Sequence, residues 1–252
     1  MPFSKALDHS CMAGEGIELY VGLIEVVGTD EALEACQMPL SAEERHRAGR
    51  FVQERHRRLY IFAHGLLRFA LSNWAPSVAP ADWSFIADRN GRPFVAAPDI
   101  ARPVYFSLSH TEGCVACVIS PCEAVGVDVE RIEERGTLWK IAQQMFAAEE
   151  IATLRDLAPG DFLDRFFDYW TLKEAYLKAK GLGLRLPLDQ FAIRLSDERV
   201  AISFTAEIYD DPHHWHFSRY SPSAQHRLAI ADGSGTPGGL PTVTRPWPVP
   251  GG

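Results

Sequence analysis

The order of elements in this chain recurs. Residues 18–27 read as a strand, and Ser41 with Glu44 as a capping box that opens a helix to about residue 51. Leu59, Phe62, Ala63, Leu66 and Ala70 then form the apolar stripe of a longer helix, followed by short strands near 83–87, 104–109 and 114–119. A second pass begins at residue 124: a strand over 124–130, a short helix near 138–146, and a long one over 162–180. That long helix stops at Gly181, where a left-handed cap is wanted. Strand-like runs follow near 191–195, 200–205, 215–220 and 227–230. Only the order repeats; no residue-level repeat is visible. Strand, short helix, long helix and strands, taken twice, predict an α+β fold of two similar halves, residues 1–121 and 122–231. The seam between them is a natural cleft. Residues 232–252 are mostly Gly, Pro, Ser and Thr, and are expected to be a disordered tail with no part in catalysis.

The chain has 252 residues, 46% of them apolar, enough to fill a sizeable core without covalent staples. Its first thirteen residues lack a basic start followed by an apolar run, and no stretch approaches the ~18 apolar residues of a membrane span. A soluble cytoplasmic protein is expected, with no membrane partner. Five irregularly spaced cysteines argue for a reducing compartment. Cys114 and Cys117 lie three apart in a strand-like run, so they point to opposite faces and cannot chelate one metal. The formal charge of -8 speaks against general nucleic-acid binding, yet Arg45, Arg47, Arg50, Arg55, Arg57 and Arg58 crowd into one short interval. That interval is either a solvated helical face or a site for a small polyanion such as phosphate.

Chemistry-bearing residues fall into four short pieces. In Gly126-Val127-Asp128-Val129-Glu130 a strand places both carboxylates on one face and the valines on the other. Two such neighbours repel unless a cation sits between them, and hard oxygens on a rigid strand suit Mg²⁺. A solvated acidic edge would look the same. In the long helix, Glu174 and Lys178 are four apart and share a face, as an ordinary surface ion pair would. Here Phe166, Phe167, Trp170, Tyr176 and Leu177 make much of the helix apolar, which places the pair in a crevice. Ser109-His110 ends a strand, and His110 is either a phosphate donor or simply a strand end. Asn90-Gly91-Arg92-Pro93 is a turn, with Arg92 readable as a hairpin charge.

These four pieces, in this order, resemble the surfactin-type (Sfp-type) 4′-phosphopantetheinyl transferase family. Its motifs are a Gly-Lys/Arg-Pro turn, a Ser-His strand end, a Gly-x-Asp-x-Glu strand and a Trp-x-x-Lys-Glu-Ala/Ser-x-x-Lys helix. The resemblance covers the chain from about Ser41 to Leu195 and implies the family's pseudo-twofold pair of α/β halves. It implies Asp128, Glu130 and Glu174 as Mg²⁺ ligands, and Arg50, Arg58, Arg92, Ser109 and His110 as contacts to the phosphates of coenzyme A, with Arg57 able to replace Arg58. Glu174, directly or through a metal-bound water, would be the base, and Lys178 would offset charge on the phosphates. Lys173, on another helix face, would make a secondary contact at most. The implied reaction moves the phosphopantetheine arm of coenzyme A to a serine of an apo acyl or peptidyl carrier protein and releases adenosine 3′,5′-bisphosphate. A monomer is expected, since two halves in one chain form the cleft.

Rival readings are a non-catalytic coenzyme A or nucleotide binder and another Mg²⁺-dependent phosphotransferase. A binder has no need of three carboxylates and a lysine converging, and the chain carries neither a phosphate-binding P-loop nor protein-kinase motifs. A zinc site on His213, His214 and His216 lacks a cysteine or carboxylate at zinc spacing.

Overall fold

The computed structural model describes residues 16–250 except 135, 159, 184–185 and 197–198. Strand β1 (Ile17–Leu23) runs into a single turn, α1 (Ile24–Val27), then α2 (Asp30–Gln37), α3 (Ala42–Ala48) and the long α4 (Glu54–Trp74). A hairpin of β2 (Ser84–Ala87) and β3 (Pro93–Ala97) leads to the antiparallel pair β4 (Tyr105–Thr111) and β5 (Cys114–Ser120). The scheme then repeats with β6 (Val125–Arg131), α5 (Leu138–Met145), α6 (Ala148–Asp156) and the long α7 (Phe162–Lys180). A hairpin of β7 (Phe191–Leu195) and β8 (Val200–Phe204) precedes β9 (His216–Tyr220) and β10 (His226–Asp232). Strand order is also shared: first, last, middle, as β1-β5-β4 in one sheet and β6-β10-β9 in the other.

Three apolar layers follow from the alternation of strand side chains. Val115, Cys117 and Ile119 of β5 face α4 and α2, where Phe62, Leu66, Ala70 and Cys36 are buried. Cys114, Ala116 and Val118 face the opposite way, against Val125, Val127, Val129, Leu228 and Ile230 of the second sheet. Beyond that sheet, Ala229 and Ala231 meet α7. The two cysteines therefore lie in different layers, as their spacing requires. Burial raises both thiol pKa values, that of Cys114 to about 12, so neither is a nucleophile at neutral pH.

The capping box at Ser41 is present in full: the Ser41 hydroxyl accepts from Glu44 N at 3.1 Å and Glu44 Oε2 accepts from Ser41 N at 2.8 Å. Residues 18–27, read as one strand, divide after Leu23 into β1 and α1. The expectation of a disordered tail is corrected. Thr242–Arg245 forms a further strand, β11, parallel to β1, and Arg245 Nε bonds Glu18 Oε1 at 3.0 Å. Val249 is buried and Trp247 packs on the first-half core. Among the described residues no helix is long and apolar enough to cross a membrane.

Candidate active site

Helix α7 positions the site because it lies directly on β6. A Cβ on Gly126 would stand 2.0 Å from Ala175 O and 2.6 Å from Ala179 N, so only glycine lets the helix backbone approach the strand so closely. The same approach brings the next outward residue of β6, Asp128, beneath the helix. Gly181 ends α7 with φ 63°, the left-handed cap its position demanded.

Asp128 is buried, and its two oxygens differ. Oδ1 accepts from Ser109 Oγ at 2.8 Å and from Lys178 Nζ at 2.7 Å. Oδ2 is buried without a hydrogen-bond partner among the described residues. A buried carboxylate oxygen left open is costly, which marks the place for a cation or a donor from a ligand. Glu174, one turn before Lys178, is half-buried. Burial, and then repulsion from Asp128, push its carboxyl above the ordinary value, while Lys178 pulls the other way. Glu130 is held at the side, with Thr111 Oγ1 donating to its Oε2 at 3.3 Å.

A cavity of about 270 Å³ opens beside these groups, lined from one half by Asn90–Pro93 and Phe106–Leu108 and from the other by Glu174, Leu177, Lys178 and Gly181. Arg92 closes the wall between halves: its Nη1 donates to Ala179 O at 3.1 Å and its Nη2 to Glu123 O at 2.6 Å, while Asn90 Nδ2 donates to Gly181 O at 2.9 Å. A cation at the C-terminal end of α7 also complements the helix dipole. His110 is exposed on one side. Desolvation of its ring, with the nearby His64, Lys178 and His56 acting the same way, holds its pKa below the ordinary imidazole range. A wider, open groove of about 1070 Å³ runs along β9, but none of the expected site residues lines it.

Not every expected residue arrives. Arg58 is committed elsewhere, to Asp30 Oδ1 at 3.0 Å and Gly28 O at 2.9 Å, and Arg57 forms a two-toothed pair with Glu54. Arg50 is exposed, lies outside the cavity lining, and makes no side-chain hydrogen bond with another described residue. Ser109 is turned into the protein, toward Asp128 and Val129 N, rather than toward a phosphate. Lys173, the motif's other lysine, is fully buried. Its Nζ pairs with Glu150 at 2.8 Å and donates to Leu188 O at 2.7 Å and Phe191 O at 2.6 Å, so its role is to brace α7 against α6 and β7.

A divalent cation fits this donor chemistry in part. The open Oδ2 of Asp128 and the Asp128–Glu174 repulsion both call for positive charge, and all the oxygens are hard. Among the described residues, however, no three His, Cys, Asp or Glu side chains are grouped closely enough to hold one ion. Asp128 and Glu174 lie close enough to repel, while Glu130 accepts from Thr111.

Comparison with known proteins decides the family. Residues 124–231, which hold the two carboxylates and Lys178, match the 4′-phosphopantetheinyl transferase superfamily. The chain is 31% identical over 194 residues to a Bacillus subtilis 4′-phosphopantetheinyl transferase, covering 76% of this chain and 81% of that one. It is 30% identical over 189 residues to the Nostoc 4′-phosphopantetheinyl transferase HetI, covering 75% and 79%. The chain belongs to the 4′-phosphopantetheinyl transferase superfamily. Sfp of Bacillus subtilis is a further relative at 26% identity, with 76% of this chain and 81% of that one covered. Among solved structures, the Thermotoga maritima holo-[acyl-carrier-protein] synthase aligns with TM-score 0.35 and 20% identity over 42% of this transferase and 60% of that chain.

Proposed function

We propose that this phosphopantetheinyl transferase moves the 4′-phosphopantetheine arm of coenzyme A to a serine of an apo acyl or peptidyl carrier protein. The serine oxygen attacks the phosphorus that bears the pantetheine arm, the bond to the bridging oxygen breaks, and adenosine 3′,5′-bisphosphate leaves. The observation that carries this reading is the divided Asp128 carboxylate, one oxygen locked by Ser109 and Lys178 and the other buried and open, with Glu174 beside it on the cavity wall.

Asp128 and Glu174 would hold Mg²⁺, with Glu130 as a further ligand if its side chain turns from Thr111. When bound, Mg²⁺ supplies charge neutralisation and polarisation at the pyrophosphate. Lys178 is half-buried and anchored, so its charge is fixed where negative charge accumulates on the leaving group. Glu174 is the candidate base for the serine proton, directly or through water. Arg92, on the cavity wall, and His110 would contact the phosphates, and Arg50, exposed and without a described side-chain partner, would reach the 3′-phosphate. Arg58 is a weaker candidate, since it is paired with the Asp30 carboxylate and lies outside the cavity lining. Both walls of the cavity come from one chain, which favours a monomer, and the reduced, buried cysteines suit a cytoplasmic enzyme.

The test is intact-mass spectrometry of a panel of apo carrier proteins incubated with the enzyme, coenzyme A and Mg²⁺. One added phosphopantetheine is expected, with the gain abolished by EDTA. Unchanged mass across the panel would sink the transfer reading, and full transfer in EDTA would sink the metal assignment alone.

A further inference from the structure

Strands β4 and β6 are the facing edges of two separate sheets, and no backbone ladder joins them. An edge strand leaves every second N–H without a partner, and burial at a seam makes each one costly. Here β4 supplies the acceptors from side chains. Ser107 Oγ accepts from Val127 N at 3.0 Å, Ser109 Oγ from Val129 N at 3.3 Å and Thr111 Oγ1 from Arg131 N at 3.3 Å. The three hydroxyls occupy alternate positions of β4, and each meets the residue twenty further on, so the two strands run side by side in register.

A hydroxyl that accepts from a backbone N–H still has its own proton to give, and the N–H fixes where the oxygen sits. Ser109 gives its proton to Asp128 Oδ1 at 2.8 Å and Thr111 gives its proton to Glu130 Oε2 at 3.3 Å. Ser107 has no carboxylate to serve, because the corresponding residue of β6 is Gly126. We propose that Ser109 and Thr111 are positioning residues of this transferase, each clamped by a β6 amide and aiming one carboxylate of the Asp-x-Glu pair. The inference rests on the reading of those carboxylates as metal ligands given above. Ser109 would leave Oδ2 of Asp128 as the oxygen presented to the ion, and Thr111 would set how far Glu130 contributes.

Ser107 is a built-in control, since it makes the same amide bond without the carboxylate bond. Ser107→Ala, Ser109→Ala, Thr111→Ala and Thr111→Ser are compared in the full chain by thermal unfolding, by Mn²⁺ binding followed by electron paramagnetic resonance, and by the Mg²⁺ dependence of transfer. Removing a group that orients a metal ligand commonly weakens metal affinity by roughly 10–100-fold. Ser109→Ala is expected to weaken Mn²⁺ binding within that range and Thr111→Ala toward its lower end. Thr111→Ser should restore Mn²⁺ binding, and Ser107→Ala, judged by Mn²⁺ binding alone because Ser107 lines the cavity, should keep wild-type Mn²⁺ affinity even where it unfolds a few degrees earlier. Wild-type affinity in both Ser109→Ala and Thr111→Ala, or equal weakening in Ser107→Ala, would overturn the inference while leaving the metal assignment standing. A wild-type protein that binds no Mn²⁺ would overturn both.

Discussion

Two lysines of α7, five residues apart in one motif, make opposite use of a carboxylate. Lys173 and Glu150 are both completely buried, and every strong hydrogen-bonding direction is filled: Lys173 reaches two carbonyls, and Glu150 accepts from Ala147 N and Ile193 N at 2.8 Å each. Burial pulls the Lys173 pKa down and pushes that of Glu150 up, each opposed by its partner. Lys178 and Asp128 form as short a contact, but the lysine is partly open to the cavity and Asp128 Oδ2 has no described partner. A complete set of partners marks an ion pair that holds the fold; the incomplete one, at a cavity shared by two halves, is the place proposed above for the ligand.

Breaking each pair should therefore fail in a different assay. Lys173→Ala strands a buried carboxylate and should destabilise the protein by about 3–5 kcal/mol in urea unfolding. A loss under about 1 kcal/mol would remove the distinction between the two lysines. Lys178→Ala also takes the cation from buried Asp128, but Ser109 still holds Oδ1 and the lysine is partly exposed, so its stability loss should be clearly smaller than that of Lys173→Ala while kcat for transfer falls by roughly 10²–10³-fold. A large stability loss with little change in kcat would exchange the roles assigned here.

The first half offers a third pair with which to sharpen the comparison. Glu44 is desolvated, which opposes its charge, yet hydrogen bonds from His64 and Ser41 and the nearby Arg68 outweigh that and bring its pKa down to about 2. It resembles the Lys173 pair in being fully engaged, with Arg68 Nη2 at 2.7 Å and His64 Nδ1 at 3.0 Å. A depressed carboxyl stabilises the fold above its unfolded pKa of about 4.5 and loses that contribution as pH falls through the folded value. The shift corresponds to about 3 kcal/mol. Glu44→Gln should thus be less stable than wild type by about that much at pH 6, with the difference shrinking between pH 4.5 and 2. A difference independent of pH would show that Glu44 acts by packing rather than by charge.

Much of this was legible in the sequence because it depends on local periodicity. The alternation Val127, Asp128, Val129, Glu130 placed the carboxylates on one face and the valines on the other, and the valines lie in the layer between the sheets. The length of α7 and its glycine stop were equally local. What sequence could not assign was long-range partnership. Nothing near Lys173 indicates that Glu150, on another helix, will meet it, and nothing near Ser109 indicates that its hydroxyl will face Asp128. Strand β11 was hidden by its proline-rich flanks, although Thr242-Val243-Thr244 is a fair strand signal, and its partner β1 lies at the other end of the chain. Helix α2 was missed despite a readable cap, Thr29 accepting from Ala32 N at 3.0 Å.

The most direct test of the division within α7 and β6 is transfer by Asp128→Asn, followed by the intact mass of an apo carrier with coenzyme A and Mg²⁺. The substitution keeps the shape and the Ser109 contact while removing the charge. The expected result is a thermal midpoint close to wild type with phosphopantetheine addition slowed by at least about 10²-fold. Addition at the wild-type rate would contradict the placement of the active site at this carboxylate.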